Sequence, residues 1–371
     1  MQSLWKNPDS SHGQRENDGL VMVHKAHDEG LKRTCMVKLK IVETSNSSSP
    51  SRPIGVIKSI VAGFEKIAAQ PLLLLPPILL DLFLWLGPRL TIPAIIQQLT
   101  NLIILPSGSD EAITEQVEIL RSFLLDLGER FNLFALLSNI PVGISSLLTG
   151  RMPVMMPLGR ALTIPIGNFL LIFTIVLILL IVGQGLGAQF HLWIAKQVAP
   201  QKELADRGTA WLKMILLAGS LYIVGIVFSL GISFIASLFA LLLPILGLMA
   251  AFLGFTLAFW AFVYLFFTPH GVIRYRLGLV RAMMESATLV RWNLLPVIGY
   301  LGSSFFISWL TNQVWILPSE DSWYLLLAII GHAFVSATLL AGSYVFYQDR
   351  REWLFSMKQR RIVEPGRGGG I

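Results

Sequence analysis

The stretch MILLAGSLYIVGIVFSLGISFIASLFALLLPILGLMAAFLGFTLAFWAFVYLFF, from Met214 to Phe267, decides the fold class. Its 54 residues include no Asp, Glu, Lys, Arg or His. One helix of that length would reach about 80 Å, against a hydrocarbon core of about 30 Å. The stretch therefore crosses a bilayer twice, turning somewhere between Ser237 and Pro244. Trp211 and Lys213 before it, and Pro269 and His270 after it, mark the membrane surfaces.

The rest of the chain agrees. Hydrophobic residues make up 54% and charged residues 14% of the 371, where an ordinary soluble domain is about 25% charged. The net charge of +7 is spread over loops and not gathered into a basic stripe with aromatics, which argues against nucleic-acid binding. The single cysteine, Cys35, excludes an intramolecular disulfide and a cysteine metal cluster.

Working outward, four more spans are predicted: Leu72 to Leu90, Ile164 to Phe190, Leu294 to Ile316 and Trp323 to Tyr347. The central pair falls near residues 214–237 and 242–267. Ile57, Ile60, Val61, Phe64, Ile67 and Ala68 recur at helical spacing and suit an interfacial helix before the first span. Pro76 and Pro77 should kink that span. A second amphipathic pattern (Ile113, Val117, Leu120, Leu124, Leu127) predicts a helix over 109–135, with Ser109 as its N-cap. A third predicts one surface helix over 269–293. Gly183 and Gly187 lie in an apolar helix and not after a strand, so they read as close packing and not as a dinucleotide fingerprint.

The expectation is an all-α polytopic bundle over 53–347, with an outer segment at 91–163. Residues 1–52 read as a disordered cytoplasmic tail and 348–371 as a basic one. Met22 and Met36 leave room for a later start. Counting Lys and Arg with both termini inside gives 24 on cytoplasmic segments against five outside, the expected positive-inside bias.

Chemistry is sought first at ionisable groups at membrane depth, where charge is costly. Asp81 and His332 both fall near mid-span, and they suit a proton relay, a cation site or simple interhelical hydrogen bonds. The arginines of the 269–293 helix (Arg274, Arg276, Arg281 and Arg291) suit anionic lipid headgroups or merely fix topology. No HExxH, GxSxG, GxxxxGK[ST] or CxxC occurs, so no catalytic residue is nominated, and no cofactor or metal is expected. His24, His27, Asp28 and Glu29 lack a second ligand cluster.

The run from Gly278 through Ala282 to Ser286, then Arg291 and Asn293 leading into a span, resembles a pattern in poorly characterised bacterial six-helix membrane proteins. These include the membrane domain attached to some glycerophosphodiester phosphodiesterases. Met283 stands where that pattern usually has Leu. The resemblance implies a helical membrane module and transfers no activity. Three function classes follow. The first is a non-enzymatic module of the cytoplasmic membrane that organises lipid or partner proteins, including further copies of itself. The second is a small transporter or channel using Asp81 and His332, and the third is an intramembrane enzyme.

Overall fold

The computed structural model describes residues 53–102, 111–139, 141–198 and 204–363. Residues 1–52 and the last eight, assigned to tails above, lie outside them. The fold is an all-α helical bundle. Five helical segments are long and apolar enough to cross a membrane: Phe169–Val198, Arg207–Leu242, Pro244–Tyr275, Leu294–Trp315 and Leu325–Met357. A sixth crossing exists if Val56–Ala68 and Pro71–Leu86, bent by 99° at their junction, count as one broken span.

The bend at this junction adds detail to the sequence reading. Helix α1 (Val56–Ala68) lies along the last helix, α12 (Leu325–Val363), and not ahead of a complete first span. Its buried Ser59, Gly63 and Ile67 recur every four residues. A Cβ on Gly63 would fall 2.5 Å from the Gly342 nitrogen, and one on Gly342 would fall 3.0 Å from the Ser59 carbonyl. Glycine on both helices therefore lets the two backbones touch. The start of α1 is pinned to α12, since Ile54 N–H donates to Asp349 (2.8 Å) and Arg350 donates to the Ile54 carbonyl (2.8 Å). Pro71 has no N–H to continue the helix. The chain turns through a short 3-10 helix (Pro71–Leu74) into α2 (Leu75–Leu86), which ends where Trp85 Nε1 donates to the Glu320 carbonyl (2.8 Å).

The described part of 91–163 is more built than its loop-like sequence suggests. Strand β1 (Arg89–Thr91) pairs in parallel with β4 (Thr163–Pro165), and β2 (Met155–Met156) with β3 (Gly159–Arg160) in a hairpin. Helix α3 (Pro93–Asn101) packs on α4 (Glu111–Arg130), the amphipathic helix expected over 109–135. Buried Arg89 donates to the Arg130 carbonyl (2.6 Å), satisfying the C-terminal end of α4. Burial pulls that guanidinium below its ordinary value.

Between α4 and β2 the chain enters the bundle. It passes through a 3-10 turn (Leu133–Leu137) and the one-turn helix α5 (Leu148–Arg151), burying Leu133, Val142, Ile144, Leu147 and Leu148. The cleft that receives it is cut by Gly183 and Gly187 of α6 (Phe169–Val198). A Cβ on Gly183 would sit 2.7 Å from the Leu137 carbonyl, and one on Gly187 would overlap the Val142 carbonyl. These glycines accept irregular backbone, not a neighbouring helix. Gly183 is about 21 Å along α6. Such backbone is tolerated at membrane depth only where protein covers it, and here Asn139 anchors it by donating to the Leu180 carbonyl (3.1 Å).

Helices α7 (Arg207–Leu242) and α8 (Pro244–Leu265) form the hairpin foreseen in the 54-residue stretch. They meet at Gly247, against Ala240, and at Gly254, against Ile232, while Ile223, Leu230, Phe252 and Phe255 face outward. The surface helix expected over 269–293 is two helices, α9 (Thr268–Tyr275) and α10 (Leu279–Trp292). The break falls at Arg276, whose φ of 53° ends α9 in a left-handed cap. Helix α11 (Leu294–Trp315) matches its predicted span, and α12 continues well past Tyr347, through the first part of the expected tail.

Candidate functional site

Asp81 and His332 are not partners. Asp81 is fully buried on α2 and accepts three hydrogen bonds from the stretch that leads into α5: Ser146 Oγ (2.5 Å), Leu147 N–H (3.1 Å) and Leu148 N–H (3.1 Å). A carboxylate at the start of α5 satisfies amide hydrogens that would otherwise be orphaned in the bundle. Its oxygens are thus spoken for by structure. His332 sits elsewhere, in a groove of about 260 Å³ between α11 and α12 lined by Ser308, Thr311, Asn312 and Ser336. Its Nε2 is 3.4 Å from Ser336 Oγ, and its buried Nδ1 has no hydrogen-bond partner among the described residues.

The arginine cluster also divides. Arg274 is buried, with its guanidinium 4.8 Å from the Tyr275 ring centroid. Arg276 is exposed, yet its Nε donates to the Leu204 carbonyl, while Lys213 donates to the Arg276 and Leu277 carbonyls (3.2 and 3.0 Å). These contacts clamp the α9–α10 corner onto the start of α7. Of the four, Arg281 and Arg291, on the exposed side of α10 near Val280, Met284 and Trp292, have no such contacts among the described residues.

The polar centre of the bundle lies where α6, α9, α10 and α12 meet, on residues the sequence reading did not nominate. His191 of α6 and His270 of α9 are both buried, with ring centroids 6.3 Å apart. Tyr344 of α12 lies between them: its hydroxyl is 3.0 Å from His191 Nδ1, and its ring centroid is 4.3 Å from that of His270. His270 Nε2 is 2.7 Å from Ser343 Oγ, while its buried Nδ1 has no hydrogen-bond partner among the described residues. One turn along α12, Tyr347 packs 5.6 Å from the His270 ring and donates to Glu285 Oε1 of α10 (2.7 Å). Glu285 is also held by Arg351 (2.5 Å), whose guanidinium lies 3.6 Å over the Tyr275 ring.

Local sequence explains the convergence. Thr268 and Pro269 start α9 just after α8, with Pro in the first turn where its missing N–H costs nothing. Gly271 then allows close approach, because a Cβ there would meet the Tyr347 hydroxyl at 3.0 Å. Tyr344, Tyr347 and Arg351 follow steps of three and four, so they share one face of α12. Imidazole, phenol, imidazole, phenol and carboxylate thus succeed one another from the core to the Glu285–Arg351 pair, where both side chains are 17% exposed. Each carries an exchangeable proton or a lone pair. Comparison with protein-family models, with curated proteins and with solved structures finds no match to this chain.

Proposed function

We propose that this protein is a proton-linked transporter whose proton is handled by His191, Tyr344 and His270, with Glu285 and Arg351 at the mouth of the path. The carrying observation is that one tyrosine of the bundle core hydrogen-bonds His191 and packs its ring on His270, while Tyr347, packed on the same His270 ring, hydrogen-bonds the ion pair at the edge. Ionisable groups inside membrane bundles are costly and serve relays and ion pathways. The broken span α1–α2 and the re-entrant 133–151 segment support the same reading, since discontinuous helices at membrane depth accompany transport sites.

The setting we infer is the bacterial cytoplasmic membrane, with both termini cytoplasmic. Support comes from the Lys and Arg bias and from the contact of Ile54 with Asp349 and Arg350, which puts the start of α1 and the far part of α12 at one end of the bundle. The test is reconstitution into liposomes enclosing a pH-sensitive dye. The wild-type protein should speed collapse of an imposed pH gradient, and His270→Gln should return the rate to the protein-free value. A wild-type rate equal to that of empty liposomes would remove the reading.

A second reading, a module that organises anionic lipid, is favoured by the exposed side of α10. Arg281 and Arg291 stand there beside exposed Val280, Met284 and Trp292, the pattern of a helix seated among headgroups. It predicts that Arg281→Gln/Arg291→Gln loses anionic lipid retained through purification; equal retention would end it.

A further inference from the structure

The face of α1 that turns away from α12 carries Lys58 and Glu65, of which Glu65 lies beside the apolar middle of α12. Gly63 packs on Thr338 and Gly342, and the Phe64 ring lies 5.0 Å from that of Phe334, so α1 runs beside the middle of α12. The neighbouring span α11 sets the same level, because Tyr300, seven residues in from its start, donates to the Leu339 carbonyl (2.6 Å). Lys58 and Glu65 are exposed on this segment, and neither has an ion-pair partner among the described residues. They are seven positions apart, which puts them about 20° from each other around the helix and about 10 Å apart along it. They share one side, while Ser59, Gly63 and Ile67 take the other. Between and beside them lie Val61, Ala62, Ala68 and Ala69, mostly small residues that let a second helix come close.

From this we infer that α1 is a self-association surface: two copies of the chain pair their α1 helices antiparallel about a two-fold axis passing between Val61 and Ala62. In that arrangement Lys58 of each copy faces Glu65 of the other, and the two charges are neutralised twice over by one symmetric contact. A two-fold interface must be self-complementary, and opposite charges placed symmetrically about a point on one helix satisfy that condition. Lipid tails offer Glu65 no such partner. Lys66, about a quarter turn away, stands off this axis.

The test is charge exchange, read as oligomeric state by native mass spectrometry of protein in nanodiscs. The wild type should be dimeric. Lys58→Glu and Glu65→Lys should each be monomeric, and the double exchange Lys58→Glu/Glu65→Lys should be dimeric again, because it restores opposite charges across the axis. Helical content by circular dichroism, unchanged in each single variant, separates loss of pairing from loss of fold. A second measurement uses Ala62→Cys in a Cys35→Ser background in native membranes, where oxidation should give a disulfide-linked dimer while Ile245→Cys, at the tip of the α7–α8 hairpin, stays monomeric. A monomeric wild type, a double exchange that does not recover, or equal crosslinking at both positions would overturn the inference.

Discussion

The hydroxyl of Tyr344 lies 3.0 Å from Nδ1 of His191, a residue 153 positions earlier in the chain, with both side chains buried. That contact ties α12 to α6 in the bundle core and sets Tyr344 against His270 as well. Replacing Tyr344 by Phe keeps the ring and removes the hydroxyl, leaving a buried imidazole nitrogen without its partner. The expected loss is about 1–3 kcal/mol of stability, seen as a lower thermal midpoint in detergent, together with loss of proton flux. Unchanged flux in a folded Tyr344→Phe protein would take the tyrosine out of the path.

Asp81 is predicted to be structural. Asp81→Ala removes three charge-assisted hydrogen bonds from the start of α5 and should destabilise the protein by on the order of 3 kcal/mol. Asp81→Asn keeps one acceptor oxygen and should cost less. Proton flux per folded molecule should stay near wild type in Asp81→Asn. A selective loss of flux in that variant, at unchanged thermal midpoint, would return Asp81 to the mechanism.

Gly187 holds the door for the re-entrant segment. A methyl there would collide with the Val142 carbonyl, which is backbone and cannot swing aside. Gly187→Ala should therefore push Val142 and Gly143 out of their cleft. In a Cys35→Ser background, Val142→Cys should resist a membrane-impermeant maleimide and become reactive once Gly187→Ala is added. Equal labelling in both proteins would contradict the buried placement of Val142.

Asp206 caps α7 by accepting from the Thr209 N–H (2.9 Å), and that bond holds its carboxyl below the ordinary value of 3.8. The sign follows from the lowered value. The cap's contribution is complete above the ordinary carboxylate range and fades as pH falls through the lowered value. Amide exchange at residues 207–210, compared at matched intrinsic rates, should be slow at pH 6 and rise toward pH 3. In Asp206→Ala it should be fast at both; a pH-dependent rise surviving in that variant would assign the effect to another group.

The apolar periodicity made most of the spans legible, because about 20 apolar residues in a row can hardly do anything else. The same signal hid the polar centre. His191 and His270 sit just past the apolar runs that set the predicted spans, whereas α6 runs on to Val198 and the α8–α9 segment to Tyr275. Helices in this bundle are longer than the hydrocarbon they cross, so their polar ends meet one another inside protein. Asp81 stands out in the sequence as a carboxylate near mid-span, but its partners come from a segment whose Pro and Gly content resembles a loop. The 269–293 pattern was helical throughout in period, and only the left-handed backbone at Arg276 splits it, a conformation that an arginine does not advertise.

The central claim is that the His191–Tyr344–His270 group exchanges protons with water across a folded bundle. Nitrogen-15 NMR of histidine-labelled protein in lipid bilayers tests it most directly, with His191→Gln and His270→Gln assigning the two core imidazoles. The account predicts that at least one of them takes up a second proton as the pH is lowered, while helical structure is retained, and that Glu285→Gln slows the exchange. Two imidazoles that stay neutral down to the pH at which the protein unfolds would contradict it.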